Sequence, residues 1–140
     1  MNQIKVNYEF EVLLSLLRKE MHGRELAKAL NTSLTRIQVI LNELRNSNII
    51  DYKIEGKNHV YFLKKNLISE KAVINAENYK CIKILAKYPI LMPIFEDIIE
   101  KSKCNLIILF GSYAKGISKE GSDIDIYINT NDMKVKENIQ

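Results

Sequence analysis

Residues 106–128 read LIILFGSYAKGISKEGSDIDIYI, and the order of residue types here decides how the second half of the chain is built. Cys104 to Phe110 is a continuous apolar run of strand length, which predicts a strand covered on both faces. It leads into Gly111-Ser112, then a turn and loop rich in Lys and Gly from Tyr113 to Gly121. Ser122 to Asn129 follows, and its strict alternation predicts a second strand. Residues two apart in a strand point the same way, so Asp123, Asp125 and Tyr127 are expected on one face and Ile124, Ile126 and Ile128 on the other. The isoleucines hold such a strand to a core. The two carboxylates repel each other unless a cation sits between them. Hard oxygen ligands select Mg2+ or a similar ion, which binds through one or two carboxylates together with substrate phosphates.

The strand ending at Gly111-Ser112 is expected to turn into a short helix at Tyr113, Ala114 and Lys115, an arrangement that presents backbone N–H groups to an anion. Gly111 permits close backbone approach, and the Ser112 hydroxyl is able to donate to a phosphate oxygen. A phosphate site at one strand end beside a metal-binding pair on the next strand suits a metal-chelated nucleoside triphosphate. Lys115 and Lys119 fall in the same loop, but no spacing rule fixes them, and they read as solvated lysines within reach of the phosphates.

Upstream, Leu91 to Lys101 is helical, with Ile94, Phe95, Ile98 and Ile99 as its apolar markers and Pro93 tolerable in a first turn. Tyr88-Pro89 breaks it from a preceding helix over 68–87, marked by Val73, Ile74, Ile82 and Leu85. Further back, 7–20 places Phe10, Leu13, Leu14 and Leu17 at helical spacing, with His22-Gly23 as the stop. A short unit over 24–30 turns Leu26, Ala27 and Leu30 inward, and Asn31-Thr32-Ser33 is a turn able to cap the next helix. Leu34, Ile37, Ile40, Leu41 and Leu44 mark that third helix over 34–46, whose outward face offers Thr35, Arg36, Gln38, Val39, Asn42 and Arg45. From Ile50 the period changes to two, giving a hairpin over 50–63 with a basic tip at Gly56-Lys57. Tyr52, Tyr61 and Phe62 fill its core side. The expected division is 1–66, a linker helix over 67–87, and 88–140.

Of 140 residues 46% are hydrophobic and 27% charged, enough apolar material for packed cores and too much for a disordered chain. No apolar run approaches the roughly 20 residues of a membrane span, and the start Met1-Asn2-Gln3-Ile4-Lys5 lacks a signal peptide's apolar stretch, which points to a cytoplasmic protein. Cys81 and Cys104 have no CxxC spacing; no disulfide or zinc site is expected, and both read as buried thiols. His22 and His59 are unclustered and read as surface or turn residues. Residues 1–66 hold 11 Lys+Arg against 7 Asp+Glu, whereas 67–140 hold 10 against 10, so the whole net charge of +4 sits in the first half. That skew suggests that only the first half meets a polyanion by charge.

The order of helices and hairpin in RELAKALNTSLTRIQVILNELRNSNIIDYKIEGKNHVYFL resembles the winged helix-turn-helix of bacterial and archaeal regulators. The resemblance implies a third helix in the major groove of DNA. Arg36 suits guanine, Gln38 or Asn42 suits adenine, Thr35 lies on the same face, and Lys53 and Lys57 in the wing contact phosphate or minor groove. A winged helix used for protein contacts is the other reading of this module. Dimerisation is expected, since such readers pair across two half-sites.

Gly111-Ser112, ten residues, then Asp123-Ile124-Asp125 resembles the GS-x10-DxD signature of the nucleotidyltransferase superfamily related to DNA polymerase beta, particularly its minimal members, over residues 90–130. The resemblance implies Mg2+ on Asp123 and Asp125, distal phosphates on Gly111 and Ser112, and transfer of a nucleoside monophosphate from a nucleoside triphosphate to a hydroxyl. Relatives include antitoxin-like enzymes that modify a partner protein, so a protein acceptor is implied as well. Active members use a third carboxylate on a later strand. Here only Asp132 and Glu137 follow, and Asp132 reads as part of the turn 129–132, so neither substitutes convincingly. The chain is then either part of a longer protein, the favoured expectation, or a regulator whose incomplete transferase domain binds nucleotide or mediates assembly. The fold class expected is α/β in the α+β sense: a winged helix-turn-helix followed by a partial nucleotidyltransferase fold with a small mixed sheet and flanking helices.

Overall fold

A computed structural model describes residues 4–104 and 106–129. Helix α1, Tyr8–Arg18, opens on Asn7, whose side chain accepts from the Phe10 N–H at 3.1 Å. It buries Val12, Leu13 and Leu16, while Leu17, expected inward, is exposed because the buried stripe passes one residue earlier. A two-residue strand follows, β1, Met21–His22, too short to leave a period in the sequence. His22 does not stop the first helix; it starts the second, α2 (Gly23–Ala29), by accepting at Nδ1 from the Glu25 N–H at 3.2 Å. Helix α3, Leu34–Asn46, is capped as expected within 31–33: Ser33 Oγ accepts from the Arg36 N–H at 3.2 Å.

Strands β2 (Ile50–Glu55) and β3 (Asn58–Leu63) form the hairpin, antiparallel from Ile50↔Leu63 to Glu55↔Asn58, turning at Gly56 with φ +62°. Strand β1 adds to the other edge of β3, giving the order β1-β3-β2. Leu13, Leu26, Ile37, Leu41, Leu44 and Ile50 make one core with the helices, each buried side chain stabilising by about 1.5–3 kcal/mol before entropy is counted.

Helix α4, Leu67–Lys87, begins where Asn66 Oδ1 accepts from the Ser69 N–H at 2.8 Å. Its buried residues are Ser69, Ala76 and Tyr79, with Ala72 half-buried against the same core. The expected markers are not the contact face: Ile74 and Ile82 are exposed, and Val73 and Leu85 are half-buried. Ala72 and Ala76 pack on the core, and the long Tyr79 side chain reaches α1. Its ring packs on Phe10 at 5.2 Å, and its hydroxyl accepts from the Asn7 N–H at 3.1 Å and donates to Glu11 Oε1 at 2.9 Å. Cys81, two residues past Tyr79 and so off the stripe, is exposed rather than buried; Cys104 is half-buried. The chain divides into two compact units, Met1–Lys80 and Cys81–Gln140, with the division inside α4.

In the second unit, helix α5 (Leu91–Ser102) buries Leu91, Ile98 and Ser102, leaves Ile99 exposed, and ends at Lys103 with φ +48°. Strand β4 is Ile107–Phe110, helix α6 Gly111–Ala114 and strand β5 Asp125–Ile128, with β4 and β5 antiparallel from Ile107↔Ile128 to Phe110↔Asp125. The small mixed sheet expected here is, over the described residues, this antiparallel pair. The apolar run is not covered on both faces: Ile108 is 43% exposed and Phe110 50%, whereas Ile107 and Leu109 are half-buried. A run of apolar residues carries no alternation, so it cannot announce which face stays open. The architecture is α+β, and no helix among the described residues is long and apolar enough to cross a membrane.

Candidate functional site

The two halves of the glycine-serine and aspartate pattern meet at one corner. The pairing Phe110↔Asp125 sets the first residue of β5 opposite the last of β4, so Gly111, the next residue, lies beside the Asp125 side chain. A Cβ built on Gly111 would overlap Asp125 Oδ2 and lie 3.0 Å from its Cγ, and Gly111 has φ +72°. Glycine is required at this position on both counts. Ser112, half-buried, follows in α6, and its carbonyl accepts from the Ile117 N–H at 3.1 Å, which folds the loop back on the turn.

Asp123 does not belong to the strand. Strand β5 starts at Asp125 because β4 has already turned into α6 and offers residues 123 and 124 no ladder partner. Asp123 is exposed and its position comes from the loop: the Lys119 N–H donates to Ser122 Oγ at 2.9 Å, the Ser122 N–H donates to the Lys119 carbonyl at 3.0 Å, and Gly121 turns with φ +81°. Lys115 and Lys119 are exposed, as solvated loop lysines should be. Among the described residues no group of three or more His, Cys, Asp or Glu side chains forms a metal cluster. Asp132 and Glu137 lie outside the described residues.

The turn is braced from α4 and the residue after it. Lys87 Nζ donates to the Gly116 carbonyl at 2.5 Å, Ile84 Cδ1 lies within 3.7 Å of where a Gly116 Cβ would stand, and the Tyr88 ring meets Tyr113 edge-on at 4.9 Å. The sequence places Tyr88 in a helix break and Tyr113 in the turn but does not pair them, nor Lys87 or Ile84 with Gly116, because the contacts join segments about 30 residues apart and follow no local period.

In the first unit, Thr35, Arg36, Gln38 and Asn42 are all exposed on α3, alongside the buried Ile37, Leu41 and Leu44. Arg36 is held: its guanidinium lies over the Tyr8 ring, 4.8 Å from the centroid, and donates to Thr32 Oγ1 at 3.1 Å. In the wing, Lys57 is exposed at the tip, whereas Lys53 is ion-paired with Glu20 at 2.5 Å and Glu55 at 3.2 Å. Those pairs, Glu20 first, raise the Lys53 pKa above the ordinary lysine value. Tyr52 lies across the ladder from Tyr61, which packs on the core, and so shares its face, with the two rings 5.7 Å apart; its own ring stacks flat on the exposed His59 at 4.0 Å, with the Arg45 guanidinium 4.3 Å from its centroid, whereas Phe62, next along the strand from Tyr61 and expected on the core side too, falls on the opposite face.

The polymerase beta nucleotidyltransferase family matches residues 94–140. Among solved structures the chain is similar to the adhesin competence repressor of Streptococcus pyogenes, at 14% identity and a TM-score of 0.54 over 66% of this chain and 68% of that one. It is also similar to a mutant form of ZitR from Lactococcus lactis, at 18% identity and a TM-score of 0.50 over 65% of this chain and 63% of that one. At such identities the likeness speaks for fold, and it supports a winged helix-turn-helix in the first unit; the family match supports a nucleotidyltransferase-like region in the second. No curated protein gives a significant match.

Proposed function

We propose that this chain is a DNA-binding regulator carrying a nucleotidyltransferase region, and that the region transfers a nucleoside monophosphate from a nucleoside triphosphate such as ATP to a hydroxyl acceptor, releasing pyrophosphate. The observation that supports it most is the packing of the Asp125 carboxylate against Gly111, within the stretch matched by the nucleotidyltransferase family. The register of β4 and β5 brings Gly111 and Asp125 to one corner, where a metal-chelated triphosphate needs a close backbone and a carboxylate together.

The donor set fits a hard divalent cation. Asp123 and Asp125 supply carboxylate oxygens and leave room for substrate phosphates, which is how Mg2+ is held at phosphoryl-transfer sites. Bound there, Mg2+ would neutralise charge developing on the attacking and leaving oxygens. The chain's own residues do the positioning. Gly111 lets backbone and carboxylate share one corner, the Ser112 hydroxyl and the backbone at 111–112 hold distal phosphates, and the Lys119–Ser122 turn fixes where Asp123 emerges.

In the same reading the first unit directs the protein to DNA in the cytoplasm. The exposed row Thr35, Arg36, Gln38 and Asn42 enters the major groove, Lys57 and, less freely, Lys53 meet the backbone, and two copies pair on two half-sites. A partner protein is the acceptor class this reading favours. The test is transfer of label from a radioactive nucleoside triphosphate to a candidate partner with Mg2+ present: label appears with the native chain and is abolished in Asp123→Ala, in Asp125→Ala and by chelator. A chain that binds DNA and Mg-nucleotide yet transfers nothing is instead a non-enzymatic regulator, and one that binds no nucleotide sinks the transferase reading.

A further inference from the structure

The open face of the β4–β5 pair is apolar next to its carboxylate. Residues opposite each other in an antiparallel ladder point to the same side, and so do residues two apart along a strand. The pairs Phe110↔Asp125 and Ile108↔Tyr127 therefore set Phe110, Ile108, Asp125 and Tyr127 on one face. That face is open: Ile108, Phe110 and Tyr127 are exposed, Tyr127 by 52%, while Ile107, Leu109, Ile126 and Ile128 on the other face are half-buried. An exposed aromatic ring and an exposed isoleucine directly across from each other, in line with a carboxylate at a glycine corner, form an apolar surface that leads away from a charged one.

We infer that Tyr127, with Ile108 beside it, is the seat of the nucleobase of the nucleoside triphosphate, and this rests on the transferase reading above. Two residues along a strand span about 7 Å. That is on the order of the distance from the reacting phosphate of a nucleotide to its base, so a donor whose phosphates sit at Gly111 and whose metal sits at Asp125 lays its base over residue 127. Bases stack on aromatic rings whatever their identity, because each has a π-face, and a platform of this kind favours nucleotides over bare polyphosphate without choosing strongly among the four. The polar atoms of the site thus sit at one end of the strand face and the apolar ones at the other, matching the two ends of the ligand.

The measurement is calorimetric titration of the full chain, with Mg2+ present, using ATP and inorganic tripolyphosphate as probes. The native chain is expected to bind ATP at least about tenfold more tightly than tripolyphosphate. Tyr127→Ala should erase that preference and leave tripolyphosphate binding unchanged, Tyr127→Phe should keep it, and Asp125→Asn should weaken both probes together. If Tyr127→Ala leaves the ATP preference intact, or weakens both probes equally, the platform is wrong while the metal and phosphate reading stands. A Tyr127→Ala variant that binds both probes like the native chain but loses transfer to a protein acceptor assigns the face to the acceptor and likewise overturns the base seat. If the native chain binds neither probe, both readings fall.

Discussion

Gly111 and Gly121 both have φ near +75°, yet only one of them is crowded. A side chain on Gly121 meets nothing within 4 Å, whereas one on Gly111 collides with the Asp125 carboxylate. Gly121→Ala should therefore cost only the left-handed backbone, about 1 kcal/mol, and Gly111→Ala about 1–3 kcal/mol more, with Asp125 displaced. Urea unfolding of the two variants decides this, and equal costs would mean that Asp125 is free to move aside. At the same scale, the two wing lysines are not equivalent. Lys57→Ala should lower the salt slope of DNA binding by about one, whereas Lys53→Ala should change it less, because Glu20 and Glu55 already neutralise that ammonium. Titrations of a duplex from about 50 to 200 mM salt measure both slopes, and a larger change for Lys53 would reverse the assignment. The identities Gly111, Ser112, Asp123 and Asp125 were legible in sequence because the chemistry demands those residue types at that spacing. Which lysine is free was not, since Glu20 is distant in sequence from Lys53.

Helix α4 shows what periodicity does and does not convey about an element. Its extent, 67–87, follows from the long run without breakers before Pro89, but its apolar residues point to the wrong stripe. The buried positions are Ser69, Ala76 and Tyr79, two of them small and one carrying a polar end, and hydropathy ranks all three below the exposed isoleucines. Tyr79→Phe removes a hydroxyl that accepts from the Asn7 N–H and donates to Glu11, and should destabilise the first unit by about 1–3 kcal/mol. Ile74→Ala, on the exposed side, should stay within about 0.5 kcal/mol of the native chain. Denaturant midpoints giving the opposite order would show that the helix packs through its isoleucines. The strands repeat the lesson: both were found from composition, but the end of β4 at Phe110 shortened β5 to four residues and left Asp123 to the loop.

At the level of the molecule, the charge excess of residues 1–66 lies in the unit with the winged helix, but the core of that unit does not stop at residue 66. Ala76 belongs to it, and Tyr79 ties α4 to α1. A chain ending at Lys80 should unfold cooperatively and bind DNA with a steep salt dependence, whereas one ending at Asn66 should lose about 2–5 kcal/mol of stability. Comparing the two by thermal unfolding and DNA titration, with residues 67–140 as the control, tests this; tighter DNA binding by 67–140 would overturn the division of labour. The sequence by itself determined the α+β class, the helix-turn-helix followed by a hairpin, and the residue types at the glycine-serine and aspartate corner. These depend on local period, turn chemistry and the donor atoms a reaction needs, all of which are written along the chain. The tertiary structure alone decided which stripe of α4 is buried, that Lys53 is neutralised, that Asp125 closes on Gly111, and that the face bearing Tyr127 is left open. Those depend on which distant segments come into contact, and long-range packing selects among faces that hydropathy leaves equivalent.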